Sequence, residues 1–376
     1  MDHRQSYQSA PDAKEVIILG IETSCDDTGA SVVCRKADGD CNVLSNEVWD
    51  QHDSHQAYGG VVPEIAARSH VERIDLVISR AMERAGLDYH ALDGVAATAG
   101  PGLIGGVMVG LTAAKAICLT HNLPLIPINH LEGHALSARM TEDAPFPYLL
   151  LLISGGHTQL LRVDGLGVYE RLGSTIDDAA GEAFDKTAKL LGLGQPGGPK
   201  LEAAAKNGDG SAYNFPRPLL KRPGCDFSLS GLKTAVRLAA DAVADPTPQD
   251  IADLAAAFQQ AIADHLARRT ERAMRALAGF SKKPLLVVAG GVAANQSIRS
   301  ALENLCKTHA WEMAVPPVKY CTDNGAMIAW AGAERVAAGI IPSADETQSL
   351  VPRARWPLAA PPKGQEIGGG KKGPKA

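Results

Sequence analysis

The chain has 376 residues, a formal net charge of −5 and 45% hydrophobic residues, enough apolar material to fill two ordinary cores. That composition excludes a disordered or fibrous body, and the mild acidity excludes a protein that holds nucleic acid by its overall charge. Seven scattered cysteines with no Cys-x-x-Cys pair suit a reducing compartment. No secretory or transit segment and no apolar run of membrane-spanning length is read, so the expectation is a cytoplasmic protein without a membrane partner.

In chain order, residues 1–14 read as an N-terminal extension. Val16 to Thr23 is a short apolar run, followed by Asp26-Asp27-Thr28-Gly29 and a second apolar run from Ala30 to Cys34, which predicts strand, turn, strand. Pro63 to Ala85 carries Ile65, Val71, Ile74, Ile78 and Met82 at helical spacing. Val95 to Ala99 predicts a buried strand and Gly110 to Thr120 a helix. Between them, the glycines from Gly100 to Gly106 allow a backbone to come close to a ligand. Tyr148 to Ile153, the turn Ser154-Gly155-Gly156-His157-Thr158, and Gln159 to Val163 then repeat the opening design. Two halves with one opening predict a duplicated α/β fold: domains at 15–145 and 146–345, with a tail at 346–376 that is Lys-, Gly- and Pro-rich and largely disordered.

Thr175 to Leu191 and Pro199 to Lys206 read as helices, Tyr213 to Ser230 as a loop, and Pro248 to about Ala278 as a long helix with a core stripe of Leu254, Phe258, Ala261, Ile262 and Leu266. Pro284 to Ala289 is a strand running into Gly290-Gly291-Val292-Ala293-Ala294-Asn295. The segment 186–237, inserted in the second domain, holds nine Lys or Arg against three acidic residues. Tyr213, Phe215 and Phe227 are interleaved with those charges, as in a surface for phosphates and unstacked bases; a solvated loop is the plainer alternative.

His130 and His134 in Asn129-His130-Leu131-Glu132-Gly133-His134 lie one helical turn apart, so both imidazoles reach one metal ion. Position 131 is Leu, where a zinc protease of the His-Glu-x-x-His type has its general base. A third ligand must come from elsewhere, and Asp323 beside Asn324-Gly325 fits; the plainer reading makes Asp323 the N-cap of a helix over Ala326 to Ala333. The Ser154–Thr158 turn offers amides, a hydroxyl and an imidazole to a phosphate or acyl phosphate, although His157 also suits a core. Of the carboxylates from Asp177 to Asp185, most read as solvated, whereas Asp185 is placed to accept from ribose hydroxyls.

Together with Glu22 to Gly29, Gly59 to Glu64, Asp177 to Lys186, Phe227 to Lys233 and Gly290 to Asn295, these motifs resemble the tRNA adenosine threonylcarbamoyltransferase family, once labelled glycoprotease. The resemblance runs from about Val16 to Gly339. It implies a duplicated RNase H-like, actin/sugar-kinase/Hsp70-type fold with a central nucleotide and metal cleft. It also implies transfer of a threonylcarbamoyl group from threonylcarbamoyl-AMP to the N6 amine of the adenosine 3′ to the anticodon in tRNAs reading ANN codons. By the same resemblance His130, His134 and Asp323 hold one Fe2+ or Zn2+, and Leu152, Ile153, Ser154, Gly155, Gly156, Asp185, Gly198 and Asn295 bind the adenylate. An inactive paralogue and a small ATPase are the implied partners, with tRNA. Asp26 is the candidate base for the amine proton; the neighbouring Asp27 departs from the family's usual Glu. A metalloprotease, a small-molecule kinase of the same fold and a non-enzymatic tRNA-binding scaffold are the rival readings.

Overall fold

The computed structural model describes residues 14–360, apart from 52, 53, 56, 57, 59 and 143. The expected extension before Lys14 and the tail beyond 360 lie outside the described residues, as does Gly59 of the quoted motifs.

Runs of continuous apolar residues belong inside a sheet covered on both faces, and the two sheets are built on them. β1 (Val16–Glu22) pairs antiparallel with β2 (Thr28–Arg35), which pairs antiparallel with β3 (Cys41–Trp49). Parallel neighbours need crossovers, supplied by α1 (Pro63–Ala85) before β4 (Gly94–Gly100) and by α2 (Ile104–His121) before β5 (Leu125–Asn129). The order is β3-β2-β1-β4-β5. After α3 (His130–Leu136) the same scheme returns with β6 (Tyr148–Ile153), β7 (Thr158–Gly165), β8 (Val168–Ser174), β9 (Leu285–Ala289) and β10 (Glu312–Ala314). Its order is β10-β9-β6-β7-β8, with β6 antiparallel to β7 and parallel to β9. The duplication read from the two hairpins therefore extends to all five strands of each sheet, including β3 and β8, whose mixed polarity gives little pattern.

Two compact units result. Among the described residues, one gathers those up to Asp50, Ala66–Gly133 and Asn324–Arg353; the other gathers those from Gln51 to Ile65, His134–Asp323 and those from Ala354 to 360. A linear division at 145 places Asn324–Arg353 with the second half, but the helix Gly325–Ala337 covers the first sheet. Gly20 on β1 is what admits it, since a side chain there meets the helix backbone at Gly325 and Ala329. The start of the expected disordered tail is likewise ordered: Arg353 N–H donates to Ala99 (2.8 Å) and Lys115 Nζ donates to the Leu350 carbonyl (2.7 Å).

One further expectation needs correction. α2 is an 18-residue helix with mean hydropathy 1.4, long and apolar enough by composition to cross a membrane. Its glycines show a different use, because Gly106 and Gly110 lie against Thr23, leaving no room for a side chain, while Val107, Leu111 and Ala114 are buried. One face of the helix is thus packed into the unit, while Ile104, Met108 and Leu119 are exposed.

In the second unit, α4 (Ala180–Leu190), α5 (Gly197–Ala205), α6 (Ser230–Asp241), α7 (Pro248–Ala276) and α8 (Gln296–His309) surround the sheet. The α7 stripe is buried throughout, with Phe258 edge-on to Phe184 at 5.5 Å. Thr247 and Asp250 form a capping box at its start.

Candidate functional site

α3 begins directly after β5, so its first residue, His130, sits at the end of a strand whose neighbours are fixed by the sheet. His134 follows one turn later and is fully buried; its Nε2 lies 3.0 Å from Asp323 Oδ1. The ligand atoms of His130, His134 and Asp323 all fall within 4.8 Å of one another. Asp323 is not the cap of the following helix. Asn324 takes that role, accepting from Met327 N–H through Oδ1 at 3.0 Å. Glu132, between the two histidines, is turned away and paired with Arg335 at 2.6 Å, so the helix offers no protease-type base.

The sequence reading passed over Glu22. This carboxylate is fully buried at the end of β1 and accepts from His130 Nδ1–H (2.9 Å), Thr98 Oγ1 (2.6 Å) and Ser24 N–H (2.5 Å). A carboxylate behind a histidine fixes the tautomer and raises the basicity of the other ring nitrogen, which is how metal-ligating histidines are commonly supported. The detectable signal was an acidic residue ending an apolar strand. His70 on α1 also went unnoticed. It is buried, lies 2.7 Å from Thr28 Oγ1 through Nδ1, and donates from Nε2 to the Cys25 carbonyl (3.1 Å). It thus clamps the β1–β2 turn that carries Asp26. Asp26 itself is half-buried in that turn and is not among the three clustered ligand residues.

The β6–β7 turn is built differently. Ser154 Oγ accepts from His157 N–H (3.1 Å), and the Ser154 carbonyl accepts from Gly181 N–H at the start of α4 (3.1 Å). Gly155 and Gly156 are exposed, and a side chain at either meets nothing within 4 Å. Gly155, Asp185, Gly198 and Asn295 line one cavity of about 190 Å³, shared with Phe184, Pro196, Glu202 and Val292. Leu152 and Ile153 are buried strand residues and, with Ser154 and Gly156, do not line it. Asp185 Oδ1 accepts from Gly197 N–H (3.0 Å). Asn295 caps α8 by accepting from Ile298 N–H (3.0 Å) and donates to Gln259 (2.8 Å), so its amide holds the wall of the cavity in place.

Three sequence readings change. The glycines from Gly100 to Gly106 do not open space for a ligand: Gly100 abuts Arg353, Gly102 abuts Ser24 and Gly106 abuts Thr23. Asp177 is not a solvated carboxylate. α4 starts only at Ala180, and Asp177 accepts from Ser228 Oγ (2.6 Å), Leu229 N–H (2.8 Å), Ser230 N–H (3.2 Å) and Ser230 Oγ (2.8 Å). Burial opposes its charge, but these donors prevail and hold its pKa below the usual carboxylate range. Finally, Phe215 and Phe227 are core residues rather than stacking platforms, because a flat apolar ring gains more from burial than from exposure beside charges.

A family model described as TsaD, tRNA N6-adenosine threonylcarbamoyltransferase, matches residues 42–330. Curated relatives of that name include one from Rhizobium etli (strain CFN 42), 55% identical over 96% of this chain and 98% of its own length. One from Rhodopseudomonas palustris (strain HaA2) is 57% identical over 92% and 94%, and one from Maricaulis maris (strain MCS10) is 54% identical over 97% of each. Among solved structures, HypF of T. kodakarensis matches with a TM-score of 0.60 at 15% identity, over 87% of this chain and 48% of that one. Full-length HypF in its phosphate- and nucleotide-bound form matches at 0.54 and 13%, over 88% and 47%; at such identities the likeness speaks to fold alone. The architecture is thus the duplicated actin/sugar-kinase/Hsp70-like one, and the chain belongs to the tRNA N6-adenosine threonylcarbamoyltransferase family.

Proposed function

We propose that this chain transfers the threonylcarbamoyl group of threonylcarbamoyl-AMP to the N6 amine of the adenosine 3′ to the anticodon in tRNAs reading ANN codons, releasing AMP. The observation that carries this reading is identity of 54% to 57% to relatives of that name over nearly the whole chain, together with a histidine pair and a carboxylate gathered within 4.8 Å.

The donor set fits a divalent ion. Two imidazoles and one carboxylate suit Fe2+ or Zn2+ and disfavour a hard, oxygen-seeking cation. His130, His134 and Asp323 hold it, and the Glu22 contact to Nδ1 leaves Nε2 as the natural ligand atom of His130. When bound, the ion supplies Lewis acidity and a template for the donor's anionic groups. The remaining work belongs to the chain. Gly155 and Gly156, with open space above them, present backbone to the acyl phosphate, with Leu152, Ile153 and Ser154 supporting the turn; Asp185, Gly198 and Asn295 receive the adenosine. An exocyclic adenine amine is a weak nucleophile, so its proton must leave as the carbonyl carbon is attacked. Asp26 is the assigned base, and Asp26→Asn is expected to abolish transfer while AMP binding persists; unchanged turnover overturns that role.

tRNA, an inactive paralogue and a small ATPase are the proposed partners, and the cytoplasm the proposed location. The deciding experiment supplies purified protein and those partners with threonylcarbamoyl-AMP and unmodified tRNA, followed by nucleoside analysis. Formation of threonylcarbamoyladenosine is expected; its absence, with the donor intact, overturns the reading.

A further inference from the structure

The loop from 215 to 225 contains no regular element, yet its backbone is held at several points. Arg269, fully buried on α7, donates to the carbonyls of Leu219 (2.9 Å), Arg222 (3.3 Å) and Gly224 (2.5 Å). Arg272, one turn further, donates to the carbonyls of Leu220 and Arg222. Leu219 adopts φ 60°, a left-handed conformation that a residue with a side chain keeps only when its surroundings impose it. Pro216, Pro218 and Pro223 narrow the remaining freedom. Two guanidinium groups are therefore committed inward to the backbone, and the Lys221 and Arg222 side chains face solvent.

Charge is concentrated here. Residues 215–225 and 264–275 hold seven Lys or Arg against two carboxylates, a local +5 in a chain of net −5. Both carboxylates are engaged, Asp264 by Arg217 (2.6 Å) and Glu271 by Arg275 (2.6 Å) and His309 (3.1 Å). Burial, with the neighbouring Arg272 and Arg222 charges, pulls the Arg269 pKa below the ordinary guanidinium value, as crowding of like charges does. A solvated connection gains nothing from such crowding, whereas a polyanion relieves it.

We propose that the Leu219–Gly224 loop, backed by α7, is a contact surface for the sugar–phosphate backbone of tRNA. The inference rests on the transferase reading above and deepens it by locating where the nucleic acid is held. Phosphate is the group contacted rather than base: Phe215 and Phe227 are buried, and Tyr213, half-buried, has one ring face already stacked on Phe215 (5.8 Å). Lys221 and Arg222 displace counterions from the RNA, which makes the contribution steeply salt-dependent.

The test measures tRNA and AMP affinity of the full-length protein from about 50 to about 200 mM salt. Replacing both residues, Lys221→Ala with Arg222→Ala, is expected to weaken tRNA binding several-fold at low salt. The slope of log K against log salt should fall by about one to two, with AMP affinity unchanged. The charge-conserving pair Lys221→Arg with Arg222→Lys is expected to bind as the wild type does. Lys206→Ala, which removes an exposed cation from the end of α5, should leave the slope alone. An unchanged slope in the double alanine variant overturns the surface, as does an equal loss in Lys206→Ala. If the double variant binds tRNA normally but releases an acidic protein partner, the surface belongs to a protein and the inference fails. Wild-type protein that, with its proposed partner subunits present, binds AMP but no tRNA at any salt overturns the transferase reading as well, which separates the two failures.

Discussion

The β1–β2 turn and the β6–β7 turn occupy equivalent places in two sheets of identical strand order, yet they are finished in opposite ways. The first is closed by its own chain: His70 holds Thr28 and the Cys25 carbonyl, Leu103 N–H donates to the Ser24 carbonyl, and Gly102 and Gly106 press against Ser24 and Thr23. The second leaves Gly155 and Gly156 under open space. Glycine serves close packing around the first turn, whereas in the second Gly181 and Gly290 pack beneath the turn and Gly155 and Gly156 leave its outer backbone uncovered. A duplicated hairpin can thus be specialised by what is placed above its turn, with one copy fixing side chains such as Glu22 and the other keeping backbone accessible.

The largest effect should come from the candidate metal ligands His134 and Asp323. His134→Ala or Asp323→Ala is expected to reduce transfer by roughly a thousandfold or more, about 4 kcal/mol in the barrier. Metal analysis of the purified variants should show a matching loss of bound ion, and full activity with no ion bound would break the assignment. Glycine substitution addresses the contrast itself. Gly106→Ala drives a methyl group into Thr23 and the His70 ring and is expected to cost about 3 kcal/mol in urea unfolding. Gly155→Ala should change stability by less than about 0.5 kcal/mol while weakening AMP binding. Equal destabilisation by the two would erase the distinction between the turns.

Glu22→Gln keeps the shape behind His130 but removes the charge. Metal affinity should fall about 10- to 100-fold, read by competition with a chelator, while the fold persists. A pH-dependent effect lies in the second unit. His265 is buried on α7 with its pKa pulled from 6.5 to about 4, chiefly by burial and then by Arg269. The unfolded chain takes up this proton as pH drops below the ordinary value and the folded chain does not until near pH 4. Stability present above pH 6.5 is therefore lost on acidification, by about 2 kcal/mol between pH 7 and pH 5. His265→Gln should flatten that part of the unfolding profile.

Much of this was legible in the residues. Continuous apolar runs gave β1, β2, β6 and β7, because central strands need no polar face, and α1 was bounded correctly by its proline and its periodicity. The clustered histidines followed from helical spacing alone. What escaped had non-local causes. Nothing near Gly325 signals that its helix covers a strand some 300 residues earlier, and Asp177 looks solvated until the serines at 228 and 230 are folded onto it. For Glu22 the only local mark is an acidic residue ending an apolar strand; its role depends on His130, brought to it by the pairing of β4 and β5 alongside β1. Glycine motifs were the least decisive signal, since sequence records the missing side chain without recording what fills its place.

The return of Gly325–Ala337 to the first sheet also sets an order of events on the ribosome. The N-terminal sheet is synthesised first, but the layer that covers Gly20, Gly29 and Ala96 is nearly the last part of the body to emerge. The intervening unit, contiguous from His134 to Asp323 apart from short flanking pieces, can fold while its predecessor is still waiting for that covering helix. Apolar strands left bare for that interval invite mispairing, so nascent chains stalled before residue 325 are where a chaperone should bind most strongly.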